Sequence, residues 1–199
     1  MYGHPKTLLD EEEARIAVGA HGRLATLVTP DLEATHLPLF LDGNRLIGHI
    51  ARANPHWRSA PCGALVVFAG PEAYVSPNWY PSKHATGRAV PTWNYEAVHV
   101  RGHLTTFEDP ARLEAVVERL SDMHESTQPR PWKMGEAPRD YLDALMRGIV
   151  GVEIEITHIE GKRKLSQDKS DADHAGVVAG LEASADPRDR AVADAMKRK

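Results

Sequence analysis

A polar pair in an apolar stretch near residue 35 is the first feature of the chain that could contact a ligand. Thr35 and His36 stand directly before Leu37 and Pro38, in a segment rich in apolar residues. A proline within a strand cannot donate a hydrogen bond to the neighbouring strand, so Pro38 marks an edge strand or a bulge. The hydroxyl and the imidazole could therefore offer donors to a ligand. An ordinary edge strand is the alternative interpretation.

The segment GHIARANPHW combines a cation, an amide and the start of a helix. His49 lies near the end of an apolar strand pattern, Arg52 and Asn54 follow it, and a proline then favours the first turn of a helix. Exposed backbone N–H groups at a helix start, together with an arginine, suit a phosphate. The segment is therefore a candidate anion site, although composition alone favours an ordinary turn without a bound anion. Trp57 packs either on a ligand ring or into the core.

Two aromatic clusters, SPNWY and PTWNY, flank a long proline-containing segment. Trp79 and Trp93 with short polar neighbours such as Asn94 could line a flat aromatic ligand or a subunit interface. A packed rim of a barrel is the alternative, and it does not exclude the first interpretation.

Four cations fall within residues 161–169, namely Lys162, Arg163, Lys164 and Lys169. They could face an anionic ligand. Runs of charge usually form a solvated face, however, and we predict such a face here.

Other kinds of chemistry are made improbable by the motifs that the sequence lacks. The chain has no GxGxxG, GxxxxGK[ST], HExxH or GxSxG motif, so a nucleotide held by a standard glycine-rich cradle is not expected. His99 and His103 would share one face of a strand, but no carboxylate or cysteine is placed beside them, so we predict no metal site. Cys62 is the only cysteine. We expect no disulfide and a buried structural thiol.

Length and composition favour one globular domain, with or without a small appendage. The chain has 199 residues, of which 42% are hydrophobic and 26% are charged. Its formal net charge of −4 argues against a broad nucleic-acid footprint, which needs clustered cations. No apolar run approaches the ~20 residues of a membrane helix. The N-terminus does not resemble a signal peptide, so we expect a cytoplasmic protein without membrane contact.

Changes in hydrophobic period predict the elements that must position these side chains. Strands are predicted at residues 23–29, 34–41, 45–50, 64–69, 72–76, 93–107 and 149–157. Helices are predicted at residues 10–20, near 55, at 109–124, at 139–146 and twice at the end, where Asp186 and Pro187 begin the last one. Hairpin turns are predicted at residues 42–44 and 70–71, and a long loop at 77–91. Consecutive strands with short turns favour an antiparallel barrel with peripheral helices over a doubly wound sheet.

Five long segments, in this order, carry a family resemblance: ATHLPLFLD, GHIARANPHW, LVVF-GP-AYVSPNWY, VPTWNYEAVHVRG and GIVGVEIEITHIEGKRKLSQDKS. They resemble the FMN-binding negative transcriptional regulators, a family that includes the protease synthase and sporulation negative regulatory protein of bacteria. The resemblance covers nearly the whole chain. It implies a mainly β (α+β) fold, an antiparallel FMN-binding split β-barrel with peripheral helices. The barrel would span residues 1–170, and a helical tail at 171–199 would pack on or near it.

The resemblance also implies a homodimer with FMN in a groove at the interface. The edge of the flavin ring would lie along a strand formed by Thr35, His36, Leu37 and Pro38. The FMN phosphate would be held by the turn that contains His49, Arg52, Ala53 and Asn54. The flavin would also be reached by the partner subunit's Thr92, Trp93 and Asn94. A substrate pocket over the open face of the flavin would be shaped by Lys164, Trp79 and Trp93.

The function that the resemblance implies is negative regulation of transcription. No helix-turn-helix is evident, and the basic cluster at the end of the chain is short, so we expect an indirect route through a partner or a small molecule rather than direct DNA binding. The alternative is an FMN-dependent oxidoreductase: a flavin reductase, or an enzyme like pyridoxamine-phosphate oxidase or the haem-degrading enzymes. A third interpretation is a dimeric binding module whose flavin groove is vestigial.

Overall fold

The computed structural model describes residues 1–21 and 24–198, which form eight strands and six helices. The strands are β1 (Leu8–Leu9), β2 (Ala25–Val28), β3 (Ala34–Leu37), β4 (Leu39–Asp42), β5 (Arg45–Ala51), β6 (Cys62–Val75), β7 (Thr92–Phe107) and β8 (Ile149–Lys164). The helices are α1 (Glu11–His21), α2 (Pro81–Thr86), α3 (Pro110–Glu125), α4 (Arg139–Met146), α5 (Asp171–Glu182) and α6 (Pro187–Lys197). The predicted strand start at Arg23 lies outside the described residues.

Capping side chains begin several helices at the predicted positions. The N–H of Glu13 donates to the Asp10 carboxylate at 2.8 Å, and the N–H of Asp10 donates to the Glu13 carboxylate at 2.9 Å. This reciprocal pair satisfies two backbone donors that α1 itself leaves free. Asp109 and Asp186 cap α3 and α6, and each precedes a proline in the first turn. The predicted helix starts are therefore confirmed.

The strands form a sheet in the order β3-β2-β6-β7-β8-β5-β4, and β1 pairs with β8. Five strand pairs are antiparallel: β1 with β8, β2 with β3, β2 with β6, β5 with β4, and β5 with β8. The β4–β5 hairpin turns at Gly43, whose φ of 55° lies in the left-handed region that glycine adopts at no steric cost. The predicted hairpin is thus confirmed.

Pro38 divides the segment that we predicted as one strand, residues 34–41. β3 pairs with β2, whereas β4 pairs with β5. Since proline has no N–H, the chain changes partner where ladder hydrogen bonding cannot continue. A Cβ at Gly48 would overlap the Pro38 carbonyl oxygen, so this glycine allows the close approach of β5 to the break.

The predicted hairpin at Gly70 and Pro71 is wrong, because β6 continues through both residues to Val75. Beyond the proline, Ala73 and Val75 are buried, whereas Tyr74 between them is exposed. This alternation shows that the strand keeps one face in the core. The burial of that face outweighs the local turn preference of the Gly-Pro pair.

Two further segments are more ordered than the sequence predicted. β8 passes the predicted end at Thr157 and continues to Lys164. The predicted loop at residues 77–91 contains the 3-10 turn Pro77–Trp79 and then α2, each with a proline at its start. Proline favours these starts because its fixed φ suits the first helical turn.

The chain divides into two compact units, each built from several segments. The first unit is Met1–Ala14, Ala69–Val98 and Glu160–Lys199, and the second is Arg15–Phe68 and His99–Ile159. In the first unit α5 and α6 pack into a core that includes Val75, Tyr80, Leu165, Val177, Leu181 and Val192. In the second unit α3 packs on the β4–β5 hairpin through a cluster of Phe40, Ile47, Val116 and Leu120. A domain boundary after residue 170 stays a prediction.

Candidate ligand-binding sites

His56 lies at the centre of a polar cluster in the second unit. Its side chain is 4% exposed; its Nε2 lies 2.6 Å from Thr29 Oγ1 and its Nδ1 lies 2.8 Å from Thr35 Oγ1. The Thr29 hydroxyl also donates to the Asp31 carboxylate. We call Thr29, Asp31, Thr35, Asn54 and His56 the His56 cluster. A buried imidazole with two hydroxyl partners fixes the segments that carry them, since an unpaired buried nitrogen is costly.

Asn54 joins the predicted phosphate turn to the predicted flavin strand. Its side-chain oxygen accepts from the N–H of His56 at 3.0 Å and so caps the turn Pro55–Ser59. Its Nδ2 donates to Thr35 Oγ1 at 3.0 Å. The structure thus brings together two residues that the family resemblance places at FMN. Sequence reasoning missed His56, although a histidine directly after a helix-starting proline was a visible signal.

Arg52 is partly buried and donates to three protein oxygens. Its Nε and Nη2 donate to the carbonyl oxygens of Arg147 and Ile149 at 2.9 and 3.1 Å, and its Nη1 donates to the Glu108 carboxylate at 2.6 Å. A guanidinium has five N–H donors, so two remain for a phosphate. The Trp57 indole donates to the Arg52 carbonyl oxygen at 3.1 Å and supports the same turn. The phosphate role of Arg52 stays a prediction.

The other residues predicted along the flavin differ in exposure. His36 is exposed, and its Nδ1 lies 3.0 Å from the Thr26 hydroxyl. Ala53 is also exposed and Pro38 is half-buried. Leu37 is 2% exposed and contributes to the core. A ligand could therefore meet the side chain of His36 but only the backbone of Leu37.

His49 carries a buried ring nitrogen that lacks a partner. Its Nδ1 makes no hydrogen bond to any described residue, and burial lowers the pKa of this imidazole. Buried polar atoms in native proteins are nearly always paired, so an unpaired one marks a place where a bound water or ligand would complete the bonding. His49 is the first residue of the predicted phosphate turn. The residues present fit FMN at this end of β5, and FMN binding by His49 stays a prediction.

A cavity of about 450 Å³ lies in the first unit. Its lining includes Tyr80, Arg88, Thr92, Asn94, Lys164 and Asp168. This volume is within the range of small-molecule sites, which are typically ~300–1,000 Å³. The cavity brings together predicted flavin contacts and one of the predicted substrate-pocket residues.

Lys164 is held at the cavity wall by neutral oxygens. Its Nζ donates to Thr92 Oγ1 at 2.6 Å and to the Trp93 carbonyl oxygen at 2.5 Å. Burial lowers the pKa of Lys164, and the nearby Asp168 opposes this effect. An ammonium has three N–H donors, so the third can contact a ligand.

Asn94 is fully buried, and its amide is hydrogen-bonded within the first unit. Its Nδ2 donates to Ser166 Oγ at 3.0 Å and to the Met196 sulfur at 3.4 Å. Ser166 Oγ in turn donates to the Asn94 oxygen at 3.2 Å. Asn94 thus ties β7 to the residues that follow β8. A flavin contact by the partner subunit's Asn94 stays a prediction.

The two tryptophans predicted to shape a substrate pocket lie elsewhere in the first unit. Trp79 packs on α5, where a Cβ at Gly180 would overlap its indole ring. Trp93 is 53% exposed and meets the ring of Tyr74 edge to face, with ring centroids 6.1 Å apart. Within the described first unit the cavity is lined by Lys164 but by neither tryptophan.

The charged run at residues 161–169 is not a uniformly solvated face, contrary to our prediction. Lys162 Nζ lies 5.5 Å from the centroid of the Tyr95 ring. Arg163 donates at 2.7 Å to the buried carboxylate of Glu96. Lys169 pairs with the preceding aspartate at 2.8 Å. Lys162 and Arg163 lie in β8, which places them beside residues of β7, whereas Lys169 follows the strand and pairs with its sequence neighbour.

Three other predictions concern chemistry that the sequence did not favour. Over residues 1–21 and 24–198, no group of three or more histidine, cysteine, aspartate or glutamate residues could hold a metal ion. Cys62 is half-buried rather than buried, because it is the first residue of β6, and burial raises the pKa of its thiol. In the same described ranges, no helix is both long and apolar enough to cross a membrane.

Comparison with known proteins gives the family. Residues 1–158 match the model of the family described as "Putative FMN-binding domain". The chain is 33% identical over 172 residues to the protease synthase and sporulation protein PAI 2 of Bacillus subtilis, covering 83% of this chain and 80% of that protein. It is 32% identical over 201 residues to an uncharacterized protein of Aspergillus fumigatus, covering 77% of each chain. Relatives therefore occur in fungi as well as bacteria.

Solved structures give the fold. The flavocytochrome Anf3 of Azotobacter vinelandii aligns with a TM-score of 0.62 at 12% identity, over 88% of this chain and 78% of that chain. The FAD and heme binding protein of Mycobacterium smegmatis aligns with a TM-score of 0.55 at 15% identity, over 85% of this chain and 79% of that chain. The predicted antiparallel split β-barrel with peripheral helices is confirmed by these flavin proteins. The chain belongs to the FMN-binding domain family.

Proposed function

We propose that this protein is an FMN-binding negative regulator of transcription that acts indirectly, as a cytoplasmic homodimer. The observation that carries the proposal is the similarity to PAI 2, a protease synthase and sporulation protein, over 83% of this chain. The family match over residues 1–158 supports the cofactor. When bound, FMN supplies a ring that can accept and donate electrons, while the protein supplies binding and orientation.

The FMN site that we propose uses the second unit for the phosphate and the ring edge. His49, Arg52, Ala53 and Asn54 would hold the phosphate, and the ring edge would lie along Thr35, His36, Leu37 and Pro38. The hydrogen bond between Asn54 and Thr35 supports this grouping, as does the unpaired nitrogen of His49. The partner subunit's Thr92, Trp93 and Asn94 would complete the site.

The charge distribution supports an indirect route to transcription. In the described part of the basic C-terminal end, the Lys197 ammonium contacts the Glu182 carboxylate, and an Arg198 nitrogen lies 3.9 Å from a Glu96 carboxylate oxygen; Lys199 lies outside the described residues. Because phosphate binding needs clustered, uncompensated cations, these carboxylate partners lower the affinity of the C-terminal end for DNA. We expect no gel shift of promoter DNA fragments at physiological salt with the FMN-loaded protein. A clean shift would contradict the indirect route.

A second candidate function is an FMN-dependent oxidoreductase, of the flavin-reductase, pyridoxamine-phosphate-oxidase-like or haem-degrading-like kind. The cavity beside Lys164 favours it, since such an enzyme needs a site for a small substrate. Rapid bleaching of protein-bound flavin by NADH or NADPH would support this function.

Light scattering would test the proposed homodimer, whose expected mass is twice the 21.9 kDa of one chain.

A further inference from the structure

We propose that the cavity in the first unit binds a small organic monocarboxylate. This ligand is a molecule other than FMN. Because Thr92 and Asn94 of the cavity are also proposed flavin contacts, the ligand would lie beside the flavin in the dimer. The cavity is partly lined by residues beyond the 1–158 match, such as Lys164 and Asp168. The inference goes beyond the proposed function and does not depend on it. It names the class of molecule that either a regulator or an oxidoreductase would sense or convert.

The charges at the wall favour a single negative charge on the ligand. Three cations, Arg88, Lys164 and Lys169, face two carboxylates, Asp168 and Asp173, which leaves one positive charge in excess. A monoanion neutralises this excess, whereas the dianionic form of inorganic phosphate would be repelled more strongly by the two aspartate carboxylates.

The pairing of these groups shows which cation is free. Asp168 is paired with Lys169 at 2.8 Å, and the Asp173 carboxylate accepts from the N–H and the hydroxyl of Ser82 at 3.0 and 2.7 Å. Lys164 donates only to neutral oxygens, and no ion pair is formed by Arg88 with any described residue. Lys164 and Arg88 are therefore the two cations of the described lining without an ion pair, and together with the Asp173 carboxylate they leave one net positive charge. Arginine and lysine together suit a carboxylate.

Tyr80 places a buried and weakly paired hydroxyl at the cavity wall. Its side chain is 3% exposed and lines the cavity, and its hydroxyl makes no close, well-aligned hydrogen bond. Burial raises the pKa of Tyr80, and an interaction with the Ser166 side chain opposes that rise, so Ser166 is a weak partner of the hydroxyl. A ligand oxygen in the cavity would accept a better hydrogen bond from this hydroxyl and lower the cost of its burial.

Apolar side chains complete the wall and select the body of the ligand. Ala89, Val90 and Pro91 form one apolar stretch of the lining, in contrast to the charged residues. Burying apolar ligand surface against them contributes favourably. We therefore expect a carboxylate carried on a small apolar group rather than a free inorganic anion.

Calorimetric titration of the full chain tests separately whether binding needs the negative charge of the ligand and whether it needs the apolar group. The probes are benzoate, isobutyrate, the neutral analogue benzamide and inorganic phosphate, in a buffer free of carboxylates near neutral pH. Benzoate, isobutyrate or both are expected to bind at one site per chain. Benzamide and phosphate are expected to bind at least about tenfold more weakly, because each lacks either the charge or the apolar body.

Three variants locate the binding. Lys164→Gln and Tyr80→Phe are each expected to weaken carboxylate binding by about tenfold or more, through loss of a charged or a buried hydrogen bond. Lys83→Gln is the matched control, because Lys83 also lies in the first unit but binds Asn78 outside the cavity lining. Circular dichroism of each variant checks folding.

Several results would overturn the inference. These are no binding of either carboxylate, equal binding of benzamide, or unchanged affinity in both Lys164→Gln and folded Tyr80→Phe. The titration is repeated with FMN-saturated protein, and competitive loss of carboxylate binding would assign the cavity to the flavin instead. Failure of FMN to bind would count against the proposed function but not against the carboxylate site, since the titration of the flavin-free chain does not involve FMN.

Discussion

The Lys164 ammonium, on the last residue of β8, lies 2.6 Å from the hydroxyl of Thr92, the first residue of β7. The family resemblance gave these residues different roles, one in a substrate pocket and one against the flavin. Their hydrogen bond makes them one polar group on the wall of the same cavity. A ligand that contacts Lys164 therefore has Thr92 as an immediate neighbour.

The weakly paired hydroxyl of Tyr80 predicts a substitution that does not destabilise the protein. Tyr80→Phe removes a buried polar atom that makes no close, well-aligned hydrogen bond and interacts only weakly with the Ser166 side chain. The free energy of unfolding, measured in urea without ligand, should be unchanged or rise by up to about 1 kcal/mol. A loss larger than about 1 kcal/mol would show that the hydroxyl is paired in solution.

The packing of Trp79 on α5 reverses the usual effect of replacing a helical glycine. Gly180→Ala would overlap the indole ring, so we expect a loss of about 1–3 kcal/mol in unfolding free energy. Gly19→Ala in α1 is the control, because no atom lies within 4 Å of a Cβ there. That variant should gain up to about 1 kcal/mol from helix propensity. Equal gains in both variants would contradict the Trp79 packing.

The His56 cluster predicts that two similar threonines differ in importance. Thr35→Val leaves His56 Nδ1 and the Asn54 amide without their partner, so we expect a loss of about 1–3 kcal/mol in urea unfolding. Thr26→Val removes only a contact to the exposed His36, which water can replace, and should cost less than about 0.5 kcal/mol. Similar losses in the two variants would argue against a structural role of the cluster.

Arg52 has a protein partner as well as its predicted ligand, and a pair of variants separates the two. Arg52→Ala should weaken FMN binding about 10- to 150-fold, through loss of a charge-assisted hydrogen bond of about 1.5–3 kcal/mol. Glu108→Gln removes the carboxylate partner but keeps the guanidinium, so the affinity for FMN should stay or rise. If fluorescence titration shows equal weakening in both, Arg52 acts by holding the turn and not by binding phosphate.

His49 predicts a loss of stability in mild acid. Burial lowers the pKa of His49 below its ordinary 6.5, so just below pH 6.5 the unfolded chain binds a proton that the folded chain does not. The stability that neutral His49 contributes is fully present above pH 6.5. It is lost as the pH falls from 6.5 through the pKa of His49 in the folded protein, by at most about 1.4 kcal/mol per pH unit. Urea unfolding of the flavin-free protein between about pH 5 and 7.5 should show a shallower dependence in His49→Gln than in wild type. Identical curves would mean that His49 titrates normally.

The elements that local chemistry determines could be predicted from the sequence. Asp10 with Glu13, Asp109 with its proline, and Gly43 in its turn each act within four residues, and the helices and the hairpin that they begin are confirmed. The length of β6 could not be predicted, because the burial of Val75 depends on α5 and α6 from the far end of the chain.

The candidate sites were predictable only in part. Family resemblance identified Thr35, Asn54 and Lys164, which the structure places in polar clusters. The roles of the buried His56 and the buried Tyr80 hydroxyl were missed, because both acquire their surroundings from segments that are distant in sequence. A motif reveals which side chains occur together along the chain, whereas burial and missing partners depend on packing.

The most direct test of the central claim is the visible absorbance spectrum of the purified protein, before and after addition of FMN and gel filtration. Membership of the FMN-binding domain family and the unpaired nitrogen of His49 predict that the two visible flavin bands stay with the protein fraction. A protein that emerges colourless, and that keeps no FMN when the cofactor is added in excess, would contradict the account. The fold would stand, and the protein would then be a binding module with a vestigial flavin groove.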